Sequence, residues 1–162
     1  KLKVLRMSSW VFPTTADVGI RTFSQSLHGL IEETTAGIQQ YQILKSGNPE
    51  NNPPRSMGTW AVPTGGDMER GLVRWLEEVL YRGYGEGQWL VDSSISISEE
   101  YVTGHVTWVD SDLVEREIEV KAITMHELIL MEVEDGQVVL GEHHGVPDFE
   151  GPGWMSQVIL DI

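Results

Sequence analysis

The hydrophobic pattern divides the chain into two amphipathic helices and a series of short strands. Apolar residues recur every three to four positions from Leu27 to Tyr41, after the suitable helix cap Ser26, and again from Met68 to Leu80. Such spacing places the apolar side chains on one face of a helix. We expect the second helix, over residues 67–82, to bury this face against a sheet. The residues expected in the buried face are Leu72, Trp75 or Leu76, and Val79.

Shorter segments with alternating apolar and polar residues lie around and after these helices. Strands are expected at residues 1–12, 18–23, 60–62, 89–97, 101–109, 117–124, 128–133, 137–140 and 158–162. Asp135-Gly136 is a hairpin signal between two of them. Gly- and Pro-rich stretches predict loops at residues 46–54 and 141–153.

The order of these elements indicates the fold class. The later strands follow one another with no helix between them, which favours a mostly antiparallel sheet. At 162 residues the chain has the length of a single domain. The sequence therefore predicts one domain over residues 1–162: a two-layer α+β fold in which both amphipathic helices pack on one face of the sheet.

Composition and charge exclude several classes of protein. The chain has no cysteine, which rules out disulfides and thiolate metal sites and fits a reducing, cytoplasmic location. No apolar run approaches the roughly 20 residues that span a membrane, and no signal peptide is recognisable. The net charge of −14 opposes binding to RNA phosphates and favours cations or a basic protein partner.

Two acids from distant parts of the chain are candidate metal ligands. Asp17 follows a turn and Asp161 lies in the last strand, so their carboxylates meet if those strands are neighbours. Carboxylate oxygens bind hard cations such as calcium and magnesium, and Ile162 adds a carboxylate if it is the C-terminal residue. On spacing alone, two solvated acids are the more frequent outcome.

Other polar residues have a functional and a structural interpretation. Lys121, in the segment 117–124, is either a solvated lysine or a cation held near Asp17 and Asp161 or presented to a partner. The 141–153 loop contains His143, His144 and nearby acids, and imidazole with carboxylate groups can bind zinc or nickel. A surface loop without such a role is more frequent.

Three segments, taken together and in order, resemble the archease family. They are TADVGIR at residues 15–21, LVRWLEEVL at residues 72–80, and EVKAIT at residues 119–124 with His126, closed by VILDI at residues 158–162. Each segment is weak alone. The combination, with Asp-Ile as the last two residues, is specific and covers most of the chain.

The resemblance implies a non-enzymatic activator of the RNA-splicing ligase. Family members promote guanylylation of the ligase and its repeated turnover in tRNA splicing or RNA repair. The resemblance also implies a divalent metal ion, calcium in known members, held by Asp17, Asp161 and the Ile162 carboxylate. Lys121 matches a lysine that is important for activity in the family. A chaperone-like modulator of a tRNA-modifying methyltransferase and a metal-dependent hydrolase are the alternatives.

The sequence departs from the family pattern at Thr14. The family usually has a histidine at this position, two residues before the alanine of the first motif. The substitution puts the completeness of the metal site in doubt. The 141–153 loop is also longer than usual, and its histidines are one source of a replacement ligand.

Overall fold

The computed structural model describes residues 8–15, 17–43 and 53–162, and these residues form two helices and nine strands. In chain order the elements are β1 (Ser9–Pro13), β2 (Val18–Ser24), α1 (Leu27–Gln42), β3 (Ser56–Pro63), α2 (Met68–Gly85), β4 (Gln88–Ile97), β5 (Tyr101–Asp110), β6 (Ala122–Val133), β7 (Val138–Val139), β8 (Phe149–Glu150) and β9 (Gly153–Asp161). The predicted two-layer α+β fold, mostly antiparallel, is confirmed.

Both helices begin where their capping residues predict. The Ser26 hydroxyl accepts a hydrogen bond from the Gly29 N–H, and the Asp67 carboxylate accepts from the N–H groups of Glu69 and Arg70. These bonds satisfy backbone donors that have no partner within the helix.

The predicted buried face of α2 is confirmed. Leu72, Trp75, Leu76 and Val79 are all buried. They belong to the main core, which also contains Ile20 of β2, Ile31 of α1, Val106 of β5 and Val158 of β9. This core therefore joins both helices to strands from separate sheets.

The strands form three sheets rather than the one sheet that the sequence predicts. The orders are β1-β2-β9-β6, β3-β5-β4 and β7-β8, and each strand pairing is antiparallel. Helix α1 packs against β2 and β4, while α2 packs against β4 and β6. The two helices thus connect the two larger sheets through the main core.

The predicted strands 117–124 and 128–133 are wrong as separate elements. Residues 122–133 form the single strand β6, whose register against β9 shifts between Thr124 and Ile129. Residues 117–121 lie outside the ladder. The N–H groups of Glu117 and Ile118 instead donate to the carbonyl oxygen of Gln42, at the end of α1. The helix end therefore takes backbone donors that the alternation alone assigned to a strand.

The predicted hairpin around Asp135-Gly136 is also wrong, although the turn exists. The Gln137 N–H donates to the Glu134 carbonyl oxygen at 3.0 Å, and Gly136 has a φ of +79°. Strand β7 then pairs with β8 rather than with β6. Because the end of β6 is paired with Gly153 at the start of β9, the chain leaving the turn meets the residues just before β9.

Two predictions extend beyond the described residues. The strand predicted at 1–12 is described only from residue 8, and the loop predicted at 46–54 only from residue 53; the remainder of each lies outside the described residues. Neither of the helices described above combines the length and the hydrophobicity that a membrane-spanning helix requires.

Candidate functional site

Strands β2, β9 and β6 lie side by side, and their register brings Asp17, Lys121 and Asp161 to the same end of the sheet. Val18 pairs with Leu160, so Asp17 and Asp161 are the next residues outward on neighbouring strands. Ala122 pairs with Asp161, and the Lys121 N–H donates to the Asp161 carbonyl oxygen at 2.7 Å. The backbone of Asp17, Lys121 and Asp161 therefore lies at the same end of the four-stranded sheet. We call these three residues the edge site.

The charged groups of the edge site are accessible. Asp17 is half-buried, while Lys121, Asp161 and the following Ile162 are exposed. Across the described ranges, no ion pair within 4.0 Å engages Asp17, Lys121 or Asp161. Their charges are consequently free to interact with a cation or a partner.

Thr14 fixes the turn that leads into the edge site. Its hydroxyl accepts a hydrogen bond from the Asp17 N–H at 3.0 Å, and its own N–H donates to the Asp17 carbonyl oxygen at 3.1 Å. A threonine hydroxyl commonly closes such a turn. At the position where the resemblance leads us to expect histidine, this chain thus has a residue that orients the backbone of Asp17.

Gly19 permits a close approach of β1 to β2 behind the edge site. It pairs with Phe12 on one side and Ile159 on the other. A Cβ atom at Gly19 would lie 2.1 Å from Cζ of Phe12. The Phe12 ring is fully buried and stacks on His143 with 3.9 Å between ring centroids. Sequence reasoning missed this contact; a glycine inside an apolar strand was its signal.

Arg21 holds the start of the 141–153 loop against β2 by hydrogen bonds. Sequence reasoning missed this role as well. Its side chain is 2% exposed. It donates to Oε1 of Gln157 at 2.7 and 3.2 Å, and to the carbonyl oxygens of Leu140 and Gly141 at 2.8 and 3.0 Å. Burial lowers the pKa of the guanidinium, and the exposed Glu142 carboxylate, 3.8 Å away, partly opposes this effect. The buried cation is therefore held mainly by neutral oxygens.

The loop's own polar residues have structural contacts. His143 stacks on Phe12, and the Asp148 carboxylate accepts the Gly141 N–H at 2.8 Å. Within residues 8–15, 17–43 and 53–162 there is no group of three or more His, Cys, Asp or Glu side chains arranged to hold a metal ion. Nothing in this loop therefore supports a zinc or nickel site.

The donor atoms of the edge site indicate which class of metal ion it could bind. Asp17 and Asp161 offer carboxylate oxygens, which are ligands for calcium or magnesium rather than for soft metals. Two protein carboxylates are few for calcium, which takes six to eight oxygens, so water or a further carboxylate has to complete the shell. The oxygen donors of Asp17 and Asp161 are therefore of the type that binds a hard divalent cation.

Comparison with known families identifies the chain. The family described as "Archease protein family (MTH1598/TM1083)" matches residues 10–162. The chain belongs to the archease family. Membership supports a general role as an activator or cofactor-type protein, and the matched range includes the edge site.

The archease assignment agrees with a structural comparison. The fold is similar to the solution structure of Methanobacterium thermoautotrophicum protein 1598, with a TM-score of 0.59 and 18% sequence identity. The alignment covers 97% of this chain and 100% of that one. At this identity the likeness concerns the fold alone. No curated protein matches this chain.

A pocket of about 330 Å³ lies beside the edge site of this archease-family chain. The C-terminal half of α2 and the segment 119–122 form its walls. We call it the tyrosine pocket; its polar and aromatic residues are Glu77, Tyr81, Tyr84, Glu119 and Lys121. A larger pocket, of about 660 Å³, lies between α1 and β4 and contains no edge-site residue.

Proposed function

We propose that this chain is a non-enzymatic, metal-binding activator of the RNA-splicing ligase. In this role it promotes guanylylation of the ligase and its repeated turnover in tRNA splicing or RNA repair. The observation that carries the proposal is the register of β2, β9 and β6. In this register, three parts of the family resemblance adjoin one another: TADVGIR, EVKAIT and VILDI. Family membership over residues 10–162 supports the general activator role.

Each edge-site residue has a distinct part in the proposal. Asp17 and Asp161 hold a divalent cation through their carboxylate oxygens, together with the Ile162 carboxylate if the chain ends there. The family resemblance implies that this cation is calcium. When bound, the cation supplies positive charge beside the nucleotide triphosphate. Lys121 presents an exposed ammonium group to the partner, and Thr14 holds the Asp17 turn.

The partner in the proposal is the ligase protein rather than its RNA. A net charge of −14 repels phosphate groups, whereas an acidic surface attracts a basic protein surface. Within the part of the chain that the structure describes, the accessible charges of the edge site form no ion pair within 4.0 Å, which suits a contact that forms and breaks during each catalytic cycle.

A turnover assay with the cognate RNA-splicing ligase tests the proposal. Ligase is kept limiting, with GTP and cleaved RNA in excess, and ligated product and guanylylated ligase are measured with and without the chain. We expect the wild-type chain to raise both quantities over many turnovers. Lys121→Ala should remove most of the gain, because the ammonium group is lost from an exposed position where folding does not need it.

Matched variants separate the edge site from general charge effects. Arg70→Ala removes an exposed positive charge from α2, and Asp112→Ala removes an exposed negative charge after β5. Both variants should activate as the wild type does. No increase in ligation or guanylylation with the wild-type chain would refute the proposed function. Equal losses in Lys121→Ala and Arg70→Ala would refute the role of Lys121.

A further inference from the structure

The tyrosine pocket combines aromatic rings with exposed carboxylates. Glu77, Tyr81 and Tyr84 lie on one face of α2, because positions separated by three, four and seven residues share a helix face. The segment 119–122 crosses opposite them and adds Glu119 and Lys121. Among the described residues, neither glutamate forms an ion pair within 4.0 Å.

Hydrogen bonds hold both tyrosine rings in place. The Tyr81 hydroxyl donates to Oε1 of Glu86 at 2.5 Å, and Tyr81 is 56% exposed. The Tyr84 hydroxyl donates to Oε1 of Gln42. Burial raises the pKa of Tyr84, so its phenol stays neutral. The pocket therefore has preformed, uncharged aromatic walls.

An arginine of the chain itself already occupies the neighbouring side of this aromatic group. The guanidinium carbon of Arg116 lies 5.0 Å from the ring centroid of Tyr84 and 5.4 Å from that of Trp89. A guanidinium over an aromatic face is a favourable arrangement. It shows that the surroundings of Tyr84 accept this group.

We infer that the tyrosine pocket receives an arginine side chain of a protein partner. Within the pocket lining, the carboxylates of Glu77 and Glu119 outnumber the one ammonium group of Lys121. Arg116 lies outside this lining, and the net charge of −14 adds to the preference for a cation. Arginine fits better than lysine because its planar guanidinium can stack on a ring and bond a carboxylate at the same time. The pocket adjoins the edge site through Lys121. That the partner is the RNA-splicing ligase rests on the proposed function.

A titration of the isolated chain with a small probe tests the pocket directly. The ¹⁵N-labelled chain is titrated with acetyl-Gly-Arg-Gly-amide, and in parallel with the citrulline peptide, which has nearly the same shape and no charge. We expect chemical-shift changes concentrated at residues 77–84 and 119–122 with the arginine peptide and none there with the citrulline peptide. Changes spread over the acidic surface, or equal effects of both peptides, would overturn the inference.

Charge variants test which residues bind the probe. The double variant Glu77→Gln/Glu119→Gln should lower the affinity for the arginine peptide by about fivefold, as expected for the loss of two exposed ion pairs. Glu69→Gln, an exposed acid at the other end of α2, should leave the affinity unchanged. Lys121→Met should leave it unchanged or tighten it, since a like charge is removed. Loss of affinity in Glu69→Gln or Lys121→Met would show that the pocket does not select a cation.

The ligase assay then tests the identity of the partner. If the ligase supplies the arginine, Glu77→Gln/Glu119→Gln should raise the chain concentration needed for half-maximal activation. The factor should be about the same as the loss of affinity for the arginine peptide. An unchanged half-maximal concentration would overturn the assignment to the ligase. If the wild-type chain does not activate at all, the proposed function fails, while the peptide titration still decides whether the pocket binds arginine.

Discussion

At the scale of single residues, the structure shows why the strand beside Asp17 has its particular sequence. Thr14 holds the backbone of Asp17, and Gly19 leaves room for the Phe12 ring. Arg21 holds the start of the 141–153 loop against the sheet. Sequence reasoning assigned a role to Asp17, which precedes β2, and none to Gly19 or Arg21. The contacts of Gly19 and Arg21 depend on residues more than 100 positions away or on another strand, which periodicity does not reveal.

Gly19→Ala should destabilise the fold by about 1–3 kcal/mol, the usual cost of overpacking. The added methyl group meets the Phe12 ring, which cannot move freely because it is buried and stacked on His143. Urea unfolding measures the loss. Gly58→Ala is the matched control, because a Cβ there has no neighbour within 4 Å. Equal stability of Gly19→Ala and wild type would contradict the close approach of β1 and β2.

Arg21→Met should loosen the loop as well as lower stability. The substitution leaves Gln157 and two backbone carbonyl oxygens without their buried donor, and a hydrogen bond to a charged group contributes about 1.5–3 kcal/mol. Amide hydrogen exchange should accelerate at residues 140–148 more than in α2. Uniform acceleration across the chain would show that Arg21 supports the whole sheet rather than this loop.

At the scale of elements, local signals predicted the helices well. Ser26 and Asp67 begin α1 and α2, and the apolar stripe of α2 is buried. These features depend on neighbours three or four positions apart, which the sequence displays directly. Residues 117 and 118 donate hydrogen bonds to the end of α1, and the strand after the turn at 134–137 pairs with β8. Both arrangements depend on tertiary contacts, which neither the alternation of residues nor the turn sequence reveals.

Leu76→Ala tests the packing of α2. Leu76 is 2% exposed in the main core, so truncation should cost about 2–5 kcal/mol in chemical denaturation. Arg70→Ala, on the exposed face of the same helix, should change stability by less than about 0.5 kcal/mol. Similar effects of the two substitutions would mean that the helix is oriented differently.

At the scale of the whole molecule, the proposed function assigns the acidic net charge and the edge site to contact with one protein partner. The family resemblance supplied the candidate residues, and the strand register explains how segments more than 100 positions apart adjoin. The sequence did not indicate the tyrosine pocket, because its walls come from α2 and from a segment wrongly predicted as a strand.

Activation of the ligase should depend on salt. If the acidic surface attracts a basic surface of the ligase, raising the salt concentration from about 0.05 to 0.3 M should increase the chain concentration needed for half-maximal activation, because exposed charges are screened. Ligase activity without the chain, measured at each salt concentration, corrects for effects on the enzyme. An unchanged half-maximal concentration would exclude charge attraction as the basis of association.

The central claim is that Asp17 and Asp161 act as one site, and a double-mutant cycle in the turnover assay tests it most directly. Turnover gain is compared for wild type, Asp17→Asn, Asp161→Asn and the double variant, with Asp112→Asn as the control and circular dichroism to confirm folding. Residues of one site show non-additive effects. We predict that each single variant removes most of the gain and that the double variant loses little more. Full activation by either single variant, or losses that multiply as independent effects, would contradict the account.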